Sequence, residues 1–123
     1  MSATAAGTVR AFLAAVEERD MDRARGFLAD TFAMTFPGGT RFSRLEELVA
    51  WSRPRYRFVR KSYETFDECH AEGRTVVYCF GTLSGEWLDG TAFGGIRFID
   101  RFEVADGKLA DQKVWNDMPK PPA

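Results

Sequence analysis

The chain has 123 residues, of which 45% are hydrophobic and 14% aromatic, with 11 Phe; this is enough for one sizeable core and too apolar for a disordered chain. Its net charge of −1 supplies no field to attract nucleic acid or an anionic membrane, so neither is expected as a partner. No apolar run reaches the roughly 20 residues of a membrane span, and the N-terminus lacks a basic start and a long apolar stretch, which gives the expectation of a cytoplasmic protein.

The first third reads as helix. Val9, Phe12, Leu13 and Val16 recur at helical spacing and predict an apolar stripe over Thr8 to Glu18. Asp20 is placed to cap a second, short helix burying Met21, Ala24, Phe27 and Leu28. An extended piece from Thr31 to Phe36 ends at Pro37-Gly38-Gly39, a chain breaker. Ser43 with Glu46 has the spacing of a capping box and starts a third helix that turns Leu45, Leu48, Val49 and Ser52 inward, until Pro54 ends it.

The rest reads as sheet. Glu72-Gly73, Asp89-Gly90 and Asp106-Gly107 are hairpin turns, since their glycines accept the positive φ that tight turns need. They delimit four strands, at about Lys61 to Ala71, Arg74 to Leu88, Thr91 to Ala105 and Lys108 to Asp117. The middle two would run about 45 to 50 Å if straight, so they must bend, with Gly81, Gly85, Gly94 and Gly95 as the bending points, and the sheet curls around the helices. The predicted architecture is α+β, one domain over residues 1–118, with residues 119–123 a flexible Pro-rich tail.

Two-residue turns fix the register by counting. Phe66 then faces Cys79, Cys79 faces Asp100, Val77 faces Phe102 and Gly81 faces Phe98. The two cysteines, Cys69 and Cys79, project to opposite faces, which excludes a disulfide between them. In the third strand Ile96, Phe98, Asp100, Phe102 and Val104 share one face, so Asp100 is a lone acid pointing at a core. Burying an unpartnered carboxyl costs several kcal/mol or raises its pKa, so Asp100 is either well paired or held for a purpose. The last strand has two readings. Strict counting turns Leu109, Asp111, Lys113 and Trp115 inward, with Lys113 opposite Asp100; a bulge near Ala110 turns Gln112, Val114 and Asn116 inward instead, and buries fewer charges.

Three helices, a short strand and a curled four-stranded meander, with the segment Asp100-Arg101-Phe102-Glu103-Val104-Ala105-Asp106-Gly107-Lys108 at the last hairpin, resemble the nuclear transport factor 2-like superfamily, in its SnoaL-like polyketide cyclase and ketosteroid isomerase-like branch. The resemblance implies a cone-shaped, cystatin-like fold, with a strongly curved, mostly antiparallel sheet around an apolar pocket. It also implies that Asp100 occupies the position of the isomerase's protonated aspartic acid. The isomerase's phenolic donor falls on Phe12 and its carboxylate base on Phe36, so that chemistry is lost, and the Arg-x-Asp pair of limonene epoxide hydrolase is not reproduced.

The resulting expectation is an acid/base enzyme of isomerase, cyclase or lyase type, without metal or cofactor, acting on a small apolar carbonyl compound. Asp100 and Glu64 are its candidate catalytic groups, Glu64 by falling on the inner face beside Gly81. Phe12, Phe36, Trp51, Tyr56, Phe66, Cys79, Phe98, Gln112, Val114 and Asn116 are candidate substrate contacts. The alternative is a non-catalytic ligand-binding or dimerisation module. His70, beside a turn, reads as a surface residue. Arg53, Arg55, Arg57, Arg60 and Lys61 read as a solvated basic stretch, or else as an anion site at the pocket mouth. On the opposite face Val76, Tyr78, Phe80 and Ile99 are too apolar for free exposure, which predicts a homodimer through that face.

Overall fold

The computed structural model describes residues 4–119; of the expected tail, residues 120–123 lie outside the described residues. Helix α1 (Ala5–Glu17) starts where the Thr4 hydroxyl accepts from the Gly7 N–H at 2.9 Å and buries Val9, Phe12 and Leu13. Helix α2 (Met21–Arg25) is capped by Asp20, whose carboxylate accepts from the Arg23 N–H at 3.3 Å. It stops at Gly26, so Phe27 and Leu28 lie beyond it, hydrogen-bonded to the Leu109 region rather than helical.

Strand β1 (Met34–Thr35) and strand β2 (Arg41–Phe42) flank a tight turn over Pro37–Gly39, in which Gly38 and Gly39 take φ of 85° and 86°. The short β2 was not expected. Helix α3 (Leu45–Ser52) follows, and its capping differs from the sequence reading by one residue. Arg44 is the first flanking residue, and the Glu47 carboxylate accepts from the Arg44 N–H at 3.0 Å and from Ser43 at 3.2 Å. Glu46 instead pairs with Arg25 at 2.6 Å.

Strands β3 (Tyr56–Ala71), β4 (Arg74–Trp87), β5 (Ala92–Ala105) and β6 (Lys108–Asn116) form the meander, and the full sheet has the order β2-β1-β6-β5-β4-β3. Only β1 with β6 is parallel, so the sheet is mixed, mostly antiparallel and unclosed. Strand β3 begins five residues earlier than expected, because Phe58 and Val59 extend its ladder against Glu86 and Gly85. Of the basic stretch, Arg57, Arg60 and Lys61 are therefore strand, with Arg60 and Lys61 on opposite faces, while Arg53 and Arg55 lie in the turn that precedes it. The curved sheet wraps α1, and Phe12 packs edge-on against Phe32 and Phe102 at centroid distances of 5.9 and 6.0 Å.

Four register shifts interrupt the meander among the described residues, one at Arg57 near the start of β3 and three that set the register around Asp100. Between Gly85 opposite Phe93 and Leu83 opposite Ile96, β5 carries one extra residue at Gly94-Gly95. The preceding turn is three residues long, with Trp87 donating to the Thr91 carbonyl, so the two offsets cancel and Cys79 faces Asp100 as counted. On β6 a bulge at Ala110 turns Gln112 and Val114 inward, opposite Phe102 and Asp100, while Asp111 and Lys113 pair with each other at 2.5 Å on the outer face. On β3 an unexpected bulge at Glu64 shifts the phase, so that Tyr63, not Glu64, faces Gly81. On the outer face Phe80, Ile99 and Trp115 stand in one row, whereas Val76 is already covered within the chain and needs no partner. Among the described residues no helix is long and apolar enough to cross a membrane.

Candidate functional site

The bulge at Glu64 decides what faces Asp100. Beyond it, Tyr63, Lys61 and Val59 carry the inward phase of β3, and Glu64 is exposed on the surface, outside the cavity. The expected pairing of Asp100 with Glu64 is therefore corrected. The partner is Lys61, whose Nζ donates to Asp100 Oδ2 at 2.5 Å. Asp100 is fully buried and Lys61 is 20% exposed.

These two groups form part of the wall of a cavity of about 380 Å³ enclosed between the helices and the concave sheet face. Phe12 and Leu13 from α1, Leu48, Trp51 and Ser52 from α3, and Phe98 and Val114 from the sheet line it. Phe36, Phe42 and Trp51 meet edge to face at 5.5 to 5.9 Å, and Tyr56 adjoins Trp51 at 6.4 Å, so one wall is aromatic. Lys61 Nζ also lies 5.0 Å from the centre of the Phe98 ring.

Of the residues singled out from sequence, Asp100, Phe12, Phe36, Trp51, Tyr56, Phe98, Gln112, Val114 and Asn116 line this cavity. Phe66 does not: it packs against Tyr63 at 4.8 Å and under the Arg10 guanidinium at 4.1 Å, on the far side of the bulge. Cys79 does not either, being buried in the core behind Asp100. Arg55 and Lys61, from the stretch read as solvated or else as an anion site at the pocket mouth, line the cavity, as do Glu17 and Arg19, which were not singled out. The signal for Lys61 was the charge count on β3: an unbroken strand would have turned Arg60 and Glu64 inward together, and the bulged strand turns in Lys61 alone.

The electrostatics follow from burial. Desolvation pushes the Asp100 carboxyl above its ordinary range, and the Lys61 ammonium pulls it back by less. Asp100 Oδ1 is buried with no hydrogen-bond partner among the described residues, so the acceptor capacity of that oxygen is unfilled. Burial, with Asp100 adding to it, pushes the Cys79 thiol to about 12, and it holds Tyr56 above its ordinary value against the opposing Arg19 and Arg55 charges. Gln112 is only 4% exposed and borders the cavity next to Val114, so it offers a neutral amide beside the acid. His70 is exposed and lies 3.8 Å from Glu68, far from this wall. Among the described residues no group of three or more His, Cys, Asp or Glu is arranged to hold a metal ion.

A family model, the SnoaL-like domain, matches residues 9–112. Among curated proteins none matches the chain. An NTF2-like protein of unknown function from Burkholderia pseudomallei superposes with a TM-score of 0.71 at 19% identity, over 89% of this chain and 88% of its own. TerC, co-crystallised with polyporic acid, gives 0.74 at 21% identity, over 89% of this chain and 88% of its own. A hexachlorocyclohexane dehydrochlorinase, LinA type 2, gives 0.73 at 13% identity, over 94% of this chain and 87% of its own. At such identities the likeness is one of fold.

Proposed function

Since the chain belongs to the SnoaL-like domain family and has the NTF2-like α+β cone, we propose that it is an acid/base enzyme acting on a small, largely apolar carbonyl compound at the Asp100–Lys61 pair. The observation that carries this reading is the unpartnered, fully buried Oδ1 of Asp100 at the wall of an apolar cavity, with its other oxygen held by Lys61. A substrate carbonyl oxygen against the Lys61 ammonium leaves the α-carbon, the one bonded to the carbonyl carbon, facing Oδ1. The ionised carboxylate takes the proton from that carbon, the C–H electron pair forms the C=C bond, and the oxygen becomes an enolate stabilised by the ammonium. Returning the proton to a different atom completes an isomerisation, and expulsion of a leaving group instead completes an elimination. Burial raises the carboxyl pKa and so makes it a stronger base for this step. Gln112 and Asn116 would orient the ligand from β6. Neighbours of this fold include a hexachlorocyclohexane dehydrochlorinase and a protein co-crystallised with polyporic acid, which supports a small-molecule pocket.

The test is deuterium uptake from D2O into benzylacetone, a small apolar ketone, followed by proton NMR. The wild-type chain accelerates exchange over solvent; Asp100→Asn slows it by about 100- to 10,000-fold, and Glu64→Gln leaves it unchanged. A second reading, a non-catalytic binding module, is favoured by one observation, that Asp100 already has a counter-ion. Binding of benzylacetone by calorimetry with exchange at the solvent rate would establish that reading in place of the enzyme.

The outer face supports a homodimer. Phe80, Ile99 and Trp115 are aligned across three strands, and Trp115 is 51% exposed. Sedimentation equilibrium is expected to give a dimer that Trp115→Lys converts to monomer; a monomeric wild type removes the proposal.

A further inference from the structure

Among the described residues five charged side chains line the cavity, the cations Arg19, Arg55 and Lys61 and the carboxyls Glu17 and Asp100. Lys61 and Asp100 balance each other at 2.5 Å in the wall. The remaining three leave an excess positive charge toward solvent, where Arg19 and Glu17 are exposed and Arg55 is half-buried. Glu17 does not cancel it locally, because its Oε2 is turned to the Lys61 backbone N–H at 3.4 Å.

Neither guanidinium has a carboxylate partner among the described residues. Arg55 donates one N–H to the Trp51 carbonyl at 2.8 Å and lies over the Trp51 ring at 4.1 Å, which holds it against the aromatic wall. Arg19 donates one N–H to the Val16 carbonyl at 2.9 Å. Each arginine therefore keeps further N–H groups free, in the planar fork that matches a carboxylate. The backbone at Arg19 is also unusual: it ends α1 with φ of 60°, in the left-handed region where glycine is the ordinary residue. That geometry closes the helix end, with the Arg19 N–H donating to the Val16 carbonyl at 3.1 Å and the Asp20 N–H to the Ala15 carbonyl at 2.9 Å. The Tyr56 phenol stands within electrostatic reach of both guanidinium groups and, kept protonated by burial, offers a further donor.

We propose that Arg19 and Arg55 form an anion clamp at the cavity mouth, so that the ligand is an amphiphilic keto acid. Its apolar body fills the aromatic cavity, its carbonyl oxygen reaches the Asp100–Lys61 pair, and its terminal carboxylate is held at the rim. This inference rests on the cavity being a carbonyl-compound site and adds the charged end of the ligand.

The experiment compares benzoylpropionate with its methyl ester by isothermal titration calorimetry, on the wild-type chain and on Arg19→Gln, Arg55→Gln and the double variant. The acid is expected to bind about tenfold more tightly than the ester at low salt. That preference shrinks in each single variant and vanishes in the double variant, while the affinity for the ester stays constant. Raising ionic strength from about 0.01 M toward about 1 M, which shortens the screening length from about 30 Å to about 3 Å, erodes the acid's advantage and not the ester's binding. An ester that binds as well as the acid, or a preference that survives in the double variant, overturns the clamp and leaves the cavity reading standing. Failure of benzoylpropionate, its ester and benzylacetone all to bind overturns both.

Discussion

Replacing Lys61 with methionine isolates the pair at the cavity wall. Asp100 is fully buried, its Oδ1 has no partner among the described residues, and the Lys61 ammonium at 2.5 Å is the group that offsets the loss of water. Removing one member of a buried pair costs about 3–5 kcal/mol. Lys61 is 20% exposed, so part of its charge is already screened and the lower end, about 3 kcal/mol, is expected for Lys61→Met near neutral pH. Asp100→Asn removes the buried charge, keeps the shape, and leaves an ammonium that reaches solvent, for about 1 kcal/mol. With a urea slope of about 1.5 kcal/mol per molar, the midpoints fall by about 2 M and by less than about 1 M, respectively. The pH dependence separates the variants further. A carboxyl whose native pKa is raised is protonated in both folded and unfolded chains below about pH 4 and carries no penalty there. As pH rises the unfolded chain loses its proton first, so stability declines, by up to about 1.4 kcal/mol per pH unit, until the native pKa is passed. Burial raises Asp100 and Lys61 opposes it, so Lys61→Met extends that decline to higher pH and Asp100→Asn abolishes it. Urea midpoints measured from about pH 4 to about pH 9 read both effects. A Lys61→Met chain with wild-type stability, or a larger loss in Asp100→Asn, would refute the account of this pair.

Three further outcomes test the frame around it. Gly81→Ala is expected to destabilise by about 2–3 kcal/mol in chemical denaturation, because a Cβ there overlaps the Ser62 carbonyl oxygen, whereas Gly94→Ala meets only Ser84 Cβ at 3.8 Å and is tolerated; equal effects would contradict the strand contact. Glu47→Ala should lower Tm more than Glu46→Ala, since Glu47 caps α3; backbone hydrogen bonds hold its carboxyl below the ordinary range, so its contribution is present above about pH 4.3 and is lost as pH falls through the lower native value. Iodoacetamide at neutral pH should alkylate exposed Cys69 and spare Cys79, whose thiol is buried and pushed to about 12; mass spectrometry finding an adduct on Cys79 in the folded chain would contradict its placement.

The helices and the order of the strands were legible because each signal is local: the Val9–Phe12–Leu13 stripe, the Asp20 cap and the three acid-glycine turns all act within a few residues. Register is not local, and it was recovered at Asp100 by two departures that cancel, a three-residue turn after Trp87 and the extra residue at Gly94-Gly95. The cavity wall was then decided by two bulges, one on β6 at Ala110 and one on β3 at Glu64. Both obey the same rule. Each is the arrangement that turns fewer charges inward, replacing Asp111 and Lys113 by Gln112 and Val114 on β6, and Arg60 and Glu64 by Lys61 on β3. On β3, as on β6, no glycine of the strand itself marks the bend. The β3 bulge is marked instead on the neighbouring strand, where Gly81 lacks the Cβ that would collide with Ser62 and so lets the irregular backbone come close. A glycine in a strand can therefore report a bulge in its partner. Applied here, that reading turns Lys61 rather than Glu64 to the inner face and brings its ammonium to Asp100, the one buried acid among the described residues.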